Sequence, residues 1–80
     1  MKLPRDIHAD ALIRALRTLD YVPVRQTGSH IRIRTLRDGE HNETIPCHSP
    51  LKAGTLNAIL RNIAEHHGLS RDKLLELLDL

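Results

Sequence analysis

The sequence predicts an α+β fold: a three-stranded antiparallel sheet with helices packed on one face, in the order α-β-β-β-α-α. Three observations point there. Apolar residues recur every three or four positions near both ends of the chain and every second position in the middle. Two turn signals, Thr27-Gly28 and Asp38-Gly39, cut the middle into strands that can pair as sequential hairpins. The chain has 80 residues, with no repeat and no linker, so residues 1–80 read as one small domain. Hairpins flanked by amphipathic helices bury their apolar face by packing the helices on one side of the sheet.

The first helix is expected over about 8–20. Ile7, Ala11, Leu12, Ala15, Leu16 and Leu19 share one face, Asp6 or His8 stands at the N-cap, and Asp10 lies in the first turn, where the helix dipole favours an acid. From Tyr21 the period becomes two. Val22 and Val24 alternate with Tyr21, Pro23 and Arg25; Pro23 cannot donate a ladder bond, which assigns this strand to an edge or gives it a bulge. The second strand has the clearest pattern in the chain, with Ile31, Ile33 and Thr35 alternating with His30, Arg32 and Arg34. A third strand runs from Asn42 to Cys47, with Ile45 and Cys47 on one face and Thr44, Pro46 and His48 on the other.

A loop through Gly54 follows. Thr55 is placed to cap a helix carrying Leu56, Ile59, Leu60 and Ile63, and Gly68 to end it in the left-handed conformation. Ser70 then caps a last helix carrying Leu74, Leu75, Leu77 and Leu78.

Opposed residues on paired strands must share a face, so across the second hairpin their numbers must sum to an even value. A two-residue Asp38-Gly39 loop pairs Ile33 with Thr44 and mixes the faces. A three-residue loop, Asp38-Gly39-Glu40, pairs Ile33 with Ile45, Ile31 with Cys47, and His30 with His48. That register predicts two histidines side by side on the helix-free face and Cys47 in the core.

Composition narrows the function. A single cysteine excludes a disulfide-stapled miniprotein, and a charged start with no apolar run points to the cytoplasm and away from membranes. Tyr21 is the sole aromatic, so a base-stacking platform for nucleic acid is excluded. The net charge of +2 conceals an asymmetry: Lys and Arg outnumber Asp and Glu by eight to three in residues 1–37 and are outnumbered four to seven in 38–80. Arg25, Arg32, Arg34 and Arg37 fall in a stretch without one acid.

Histidines beside arginines on one strand face suit an anionic substrate. Neighbouring cations disfavour imidazolium and keep a histidine available as a general base. Arginines bind phosphate oxygens and stabilise charge that gathers on them. On RNA, such a base takes the 2′-hydroxyl proton and that oxygen attacks the adjacent phosphate. A zinc site from Cys47, His48, His66 and His67 is disfavoured because both pairs are adjacent in sequence, so neither a metal nor another cofactor is expected. Two other classes fit parts of the sequence. A non-catalytic RNA-binding module would use the same basic face. A helix-turn-helix reader of DNA could be built from 55–67 and 70–78, but Asp72, Glu76 and Asp79 make its last helix a poor partner for phosphate.

Three segments carry a resemblance. Arg25-Gln26-Thr27-Gly28-Ser29-His30, then Pro46-Cys47-His48, then Leu51-Lys52-Ala53-Gly54-Thr55-Leu56 resemble the HicA toxins of bacterial and archaeal toxin–antitoxin pairs. The likeness extends from Leu3-Pro4-Arg5 through Ile59-Leu60-Arg61. It implies a fold similar to a double-stranded RNA-binding domain and an mRNA interferase that needs no metal. It implies that His30, the histidine of Gly-Ser-His, is the catalytic residue, and that a HicB antitoxin covers the site and represses the shared operon. The Pro-x-His histidine falls on His48, expected as a second acid or positioning group, and the basic residue before Gly-Thr-Leu falls on Lys52. The residues expected to meet RNA are Arg25, Gly28, Ser29, Arg32, Arg34 and Lys52; Ser29 is expected to bond backbone or orient His30, not to act as a nucleophile. Asp20-Tyr21 in place of the family's frequent Gly-Phe, Pro23, and the run Glu65-His66-His67 depart from the pattern.

Overall fold

The computed structural model describes residues 6–47 and 50–80. Helix α1 spans Ala9–Ala15, with His8 at its N-cap in extended conformation, and continues as a 3₁₀ turn over Leu16–Leu19. The helix expected to reach residue 20 thus tightens in its last turn. At three residues per turn Leu16 and Leu19 eclipse one another, and both are buried. Asp20 ends the turn at φ 64° and sends the chain into strand β1, Val22–Thr27. Strands β2, His30–Thr35, and β3, His41–Pro46, complete an antiparallel sheet in the order β1-β2-β3. Helix α2 is Ala53–His67 and α3 is Arg71–Leu78, so the α+β architecture and the element order agree with the sequence reading. Among the described residues, no helix is long and apolar enough to cross a membrane.

The core lies between the sheet and the helices. Leu12 and Leu16 meet Ile33 and Ile45 from the sheet, Leu56, Leu60 and Ile63 from α2, and Leu74 and Leu75 from α3, all of them buried. Burying one such side chain contributes about 1.5–3 kcal/mol, which makes these few positions the main source of stability in so short a chain. Tyr21, just before β1, is fully buried, whereas Val22 and Val24 are 49% and 41% exposed. Strand β1 is exposed along its whole length, an edge strand that overhangs the helical layer. Pro23 sits there beside a bulge, as its missing N–H requires.

Gly68 ends α2 in the left-handed conformation and the Ser70 hydroxyl accepts from the Lys73 amide at 3.1 Å, both as the sequence indicates. Helix α2 starts earlier than expected. Lys52 occupies its N-cap and Gly54 lies in its first turn, with the Leu51 amide bound to the Ile7 carbonyl at 2.8 Å. That tie to the segment before α1 fixes where the loop ends, and no local signal in the loop reveals it.

The β2–β3 register differs from expectation by two. Thr35 pairs with His41, Ile33 with Glu43, Ile31 with Ile45 and His30 with Pro46, across a five-residue loop, 36–40. The face assignment survives because the sum stays even. The cause is tertiary. The Thr35 hydroxyl donates to the Leu19 carbonyl at 2.8 Å and accepts from the Arg37 amide at 3.1 Å. His66 of α2 lies 3.1 and 3.0 Å from the carbonyl oxygens of Arg37 and Gly39, to which its ring N–H donates. These bonds hold the longer loop in place of the tight turn.

The same end of the hairpin carries a chain of polar groups. The Tyr21 hydroxyl lies 2.7 Å from His41 Nδ1 and 3.1 Å from His67 Nε2. His67 Nδ1–H donates to Asp38 at 2.9 Å. His41 stacks on His66 with ring centroids 4.6 Å apart, and its Nε2 faces Glu43 at 3.6 Å. Burial, and then the nearby Glu43 carboxylate, push the Tyr21 hydroxyl far above its ordinary range, so it stays a neutral donor and acceptor. Burial raises Glu43 as well, partly offset by a hydrogen bond from Asn62. The hydrogen bond from His67 holds Asp38 below its usual value.

Candidate active site

The open face of the sheet is built by alternation. His30, Arg32 and Arg34 are exposed while Ile33 and Thr35 between them are buried. On β3, Thr44 faces the same open side, opposite Arg32. Strand β1 needs an extra device. Val22 pairs with Arg34 and Pro23 with Ile33, but the next partners are Arg25 with Arg32, Gln26 with Ile31 and Thr27 with His30. Val24 is the bulged residue, and beyond it the alternation is reset. An unbulged continuation would place Gln26 across from His30 and turn Arg25 and Thr27 toward the helices.

The result is a cavity of about 230 Å³ lined by Arg25, Thr27, His30, Arg32 and Thr44. Among the described residues, two arginines, an imidazole and two hydroxyls line it, and no carboxylate does. Arg25 and Arg32 are directly opposed across the ladder, an arrangement that disfavours the empty sheet by like-charge repulsion and favours an anion set between them. The volume is below the ~300–1,000 Å³ typical of pockets for drug-sized ligands. It suits a phosphodiester with part of its sugar.

Of the residues expected at the site, the fold brings together Arg25, His30 and Arg32. Arg34 shares the face but pairs with Val22 and Asn42 farther along the strands, outside the cavity. Gly28 and Ser29 form the two-residue turn that joins β1 to β2, one position later than the Thr27-Gly28 signal suggests. Gly28 takes φ +56°, and a Cβ there would meet nothing within 4 Å. Conformation, not space, calls for glycine. Ser29 sits in the turn, outside the strand alternation, and its carbonyl accepts from the Cys47 amide at 2.6 Å. Lys52 is exposed at the start of α2.

Two expectations are corrected. His30 lies opposite Pro46, so the pairing of His30 with His48 is not the register of the sheet; His48 itself lies outside the described residues. Cys47 is exposed and not in the core. With the shorter ladder, β3 ends at Pro46, and Cys47 falls beside the Gly28-Ser29 turn instead of opposite Ile31.

Thr27 is hidden in the sequence because the Thr27-Gly28 signal assigns it to the turn. Thr44 falls on the correct face by alternation, but nothing in its own type marks it as part of a site. Pro23 signals the bulge without giving its exact position.

No curated protein and no solved structure matches the chain. A family profile does match, over residues 9–64, and its description reads "HicA toxin of bacterial toxin-antitoxin". That span takes in α1, the whole sheet and most of α2, and with it every residue of the cavity. The chain belongs to the HicA toxin family.

Proposed function

We propose that this protein is the toxin of a toxin–antitoxin pair and acts as a metal-independent endoribonuclease on mRNA, with His30 as general base. The observation that carries the reading is the cavity in which the opposed pair Arg25 and Arg32 stands beside His30 with no acid among the described lining residues. In this reading the arginines hold the non-bridging oxygens of one phosphodiester. His30 removes the proton from the 2′-hydroxyl of the preceding ribose. The 2′-oxygen bonds to phosphorus as the P–O5′ bond breaks, leaving a 2′,3′-cyclic phosphate, and the departing 5′-oxygen takes a proton from an acid or water. Membership of the family supports a toxin role.

His48, as acid or positioning group, and Gly28, Ser29, Arg34 and Lys52, as further RNA contacts, belong to the same proposal through the family motifs. So does a HicB-like antitoxin that covers the basic face.

The test is growth arrest on induction and cleavage of RNA by the purified chain, each compared with His30→Ala. The substitution is expected to abolish both while the circular dichroism spectrum and melting temperature stay close to wild type, since His30 is exposed. Undiminished cleavage by His30→Ala overturns the assignment of the base. RNA binding that weakens with salt, with no cleavage by wild type, identifies a passive RNA-binding module instead.

A further inference from the structure

Thr27 has no role assigned by the family motifs, yet the fold gives it a specific place. It is the direct cross-strand partner of His30, on the same open face, and it lines the same cavity. Opposed side chains in such a pair have Cβ atoms about 5 Å apart, so one small substrate group in the cavity can reach both Thr27 and His30. The bulge at Val24 is what puts it there, because without it Gln26 would take the position. Bulges near active sites commonly re-aim side chains in this way.

The hydroxyl is also unengaged. Thr35, the buried threonine of β2, uses its hydroxyl on the Leu19 carbonyl and the Arg37 amide. Thr27 has no such bond among the described residues. A hydroxyl paired with His30, in a cavity whose described lining holds no acid, points to a contact with substrate.

We propose that Thr27 is a substrate-contacting residue whose hydroxyl holds the attacking ribose 2′-hydroxyl in line with the scissile phosphate. This rests on the ribonuclease reading above and assigns within it the group that orients the nucleophile. The division of the cavity follows. Arg25 and Arg32, opposed two pairs along the ladder, take the phosphate oxygens. His30 and Thr27, paired at the turn, take the ribose: His30 accepts the 2′ proton and the Thr27 hydroxyl donates to a lone pair of the same oxygen to fix its direction. A misdirected 2′-hydroxyl still binds but reacts slowly, so the effect belongs on the chemical step.

Thr27→Val keeps shape and strand preference and removes only the hydroxyl; Thr27→Ser keeps the hydroxyl. The experiment measures kcat and KM for cleavage of an oligoribonucleotide by wild type, Thr27→Val, Thr27→Ser and His30→Ala, with a melting curve for each. Thr27→Val is expected to lower kcat about tenfold with KM changed less than about threefold, and Thr27→Ser to recover most of the loss. Unchanged kcat in Thr27→Val, a serine variant as slow as the valine one, or a loss confined to KM each overturns the proposal. If wild type cleaves and His30→Ala does not, while Thr27→Val matches wild type, the ribonuclease reading stands and the role of Thr27 alone falls. If wild type cleaves no RNA, both fall together.

Discussion

Replacing Tyr21 with phenylalanine isolates the polar chain that ties the β2–β3 loop to the end of α2. The ring is fully buried and stays packed, so the perturbation is the loss of one hydroxyl. That hydroxyl serves two imidazole nitrogens, at 2.7 and 3.1 Å. The His67 side chain is only 2% exposed, so its abandoned Nε2 carries most of the ~1–3 kcal/mol cost of an unsatisfied buried group. His41 is 20% exposed and can recruit water, which limits its share to about 0.5–1 kcal/mol. The total is roughly 1.5–4 kcal/mol, or a fall in Tm of roughly 6–30 °C for a domain this small. Urea denaturation at pH 7.5 measures it. A loss below about 0.5 kcal/mol refutes the reasoning, because an isolated hydrogen bond of average strength already exceeds that.

The polar chain around that hydroxyl has a pH signature. The hydroxyl carries one hydrogen and bridges two imidazole nitrogens, so at least one of those nitrogens must be unprotonated. Protonating both brings three hydrogens to one oxygen. Separately, burial and then repulsion from His66 and His67 hold His41 below its ordinary value of 6.5. The folded state therefore binds this proton less well than the unfolded state. Its contribution to stability is complete above about pH 6.5 and is lost as pH falls through the depressed value. Asp38, also lowered, acts with the same sign at more acid pH. Glu43 is raised and acts oppositely, favouring the fold when protonated and losing that contribution as pH rises. Wild type should keep its stability from pH 8 to about 6.5 and lose it as pH falls further through the depressed His41 value, as urea midpoints at successive pH values read; a midpoint that does not fall below pH 6.5 would contradict the assignment.

Other outcomes follow from single positions. Gly28→Ala is expected to cost about 1–2 kcal/mol from the positive φ alone, with Gly28→Asn costing less, as read by urea midpoints; equal losses would mean that crowding and not backbone conformation governs the turn. Arg32→Ala should weaken RNA binding and lower the slope of log affinity against log salt by about one, while leaving the free protein no less stable, since it removes repulsion from Arg25. A parallel loss of stability in that variant would contradict the repulsion. Ser70→Ala should cost about 1 kcal/mol through the lost cap of α3, again by urea denaturation.

Periodicity alone makes the faces of this fold legible. Alternation separates His30, Arg32 and Arg34 from Ile31, Ile33 and Thr35, because a strand has only two sides. Pro23 marks an edge and a bulge by its missing donor, and Gly68 and Ser70 mark their caps. What escapes the sequence depends on contacts distant along the chain. Asp38-Gly39 reads as a tight loop and puts the β2–β3 register out by two, whereas Thr35 and His66 hold a longer loop through bonds to Leu19, Arg37 and Gly39. The displacement of Cys47 from the core follows from that slip. Half of the candidate site is visible as residue types, in His30 and its arginines. Thr27 is not, because its face depends on which residue of β1 bulges.

The position of Cys47 has a practical consequence. It is the sole cysteine in the chain, it is exposed, and its amide is bonded to Ser29 in the turn that delivers His30. A thiol-directed fluorophore or spin label would therefore attach at one place without any substitution, next to the cavity rather than inside it. The natural sequence already carries a reporter position from which the arrival and departure of whatever occupies the basic face can be followed in real time.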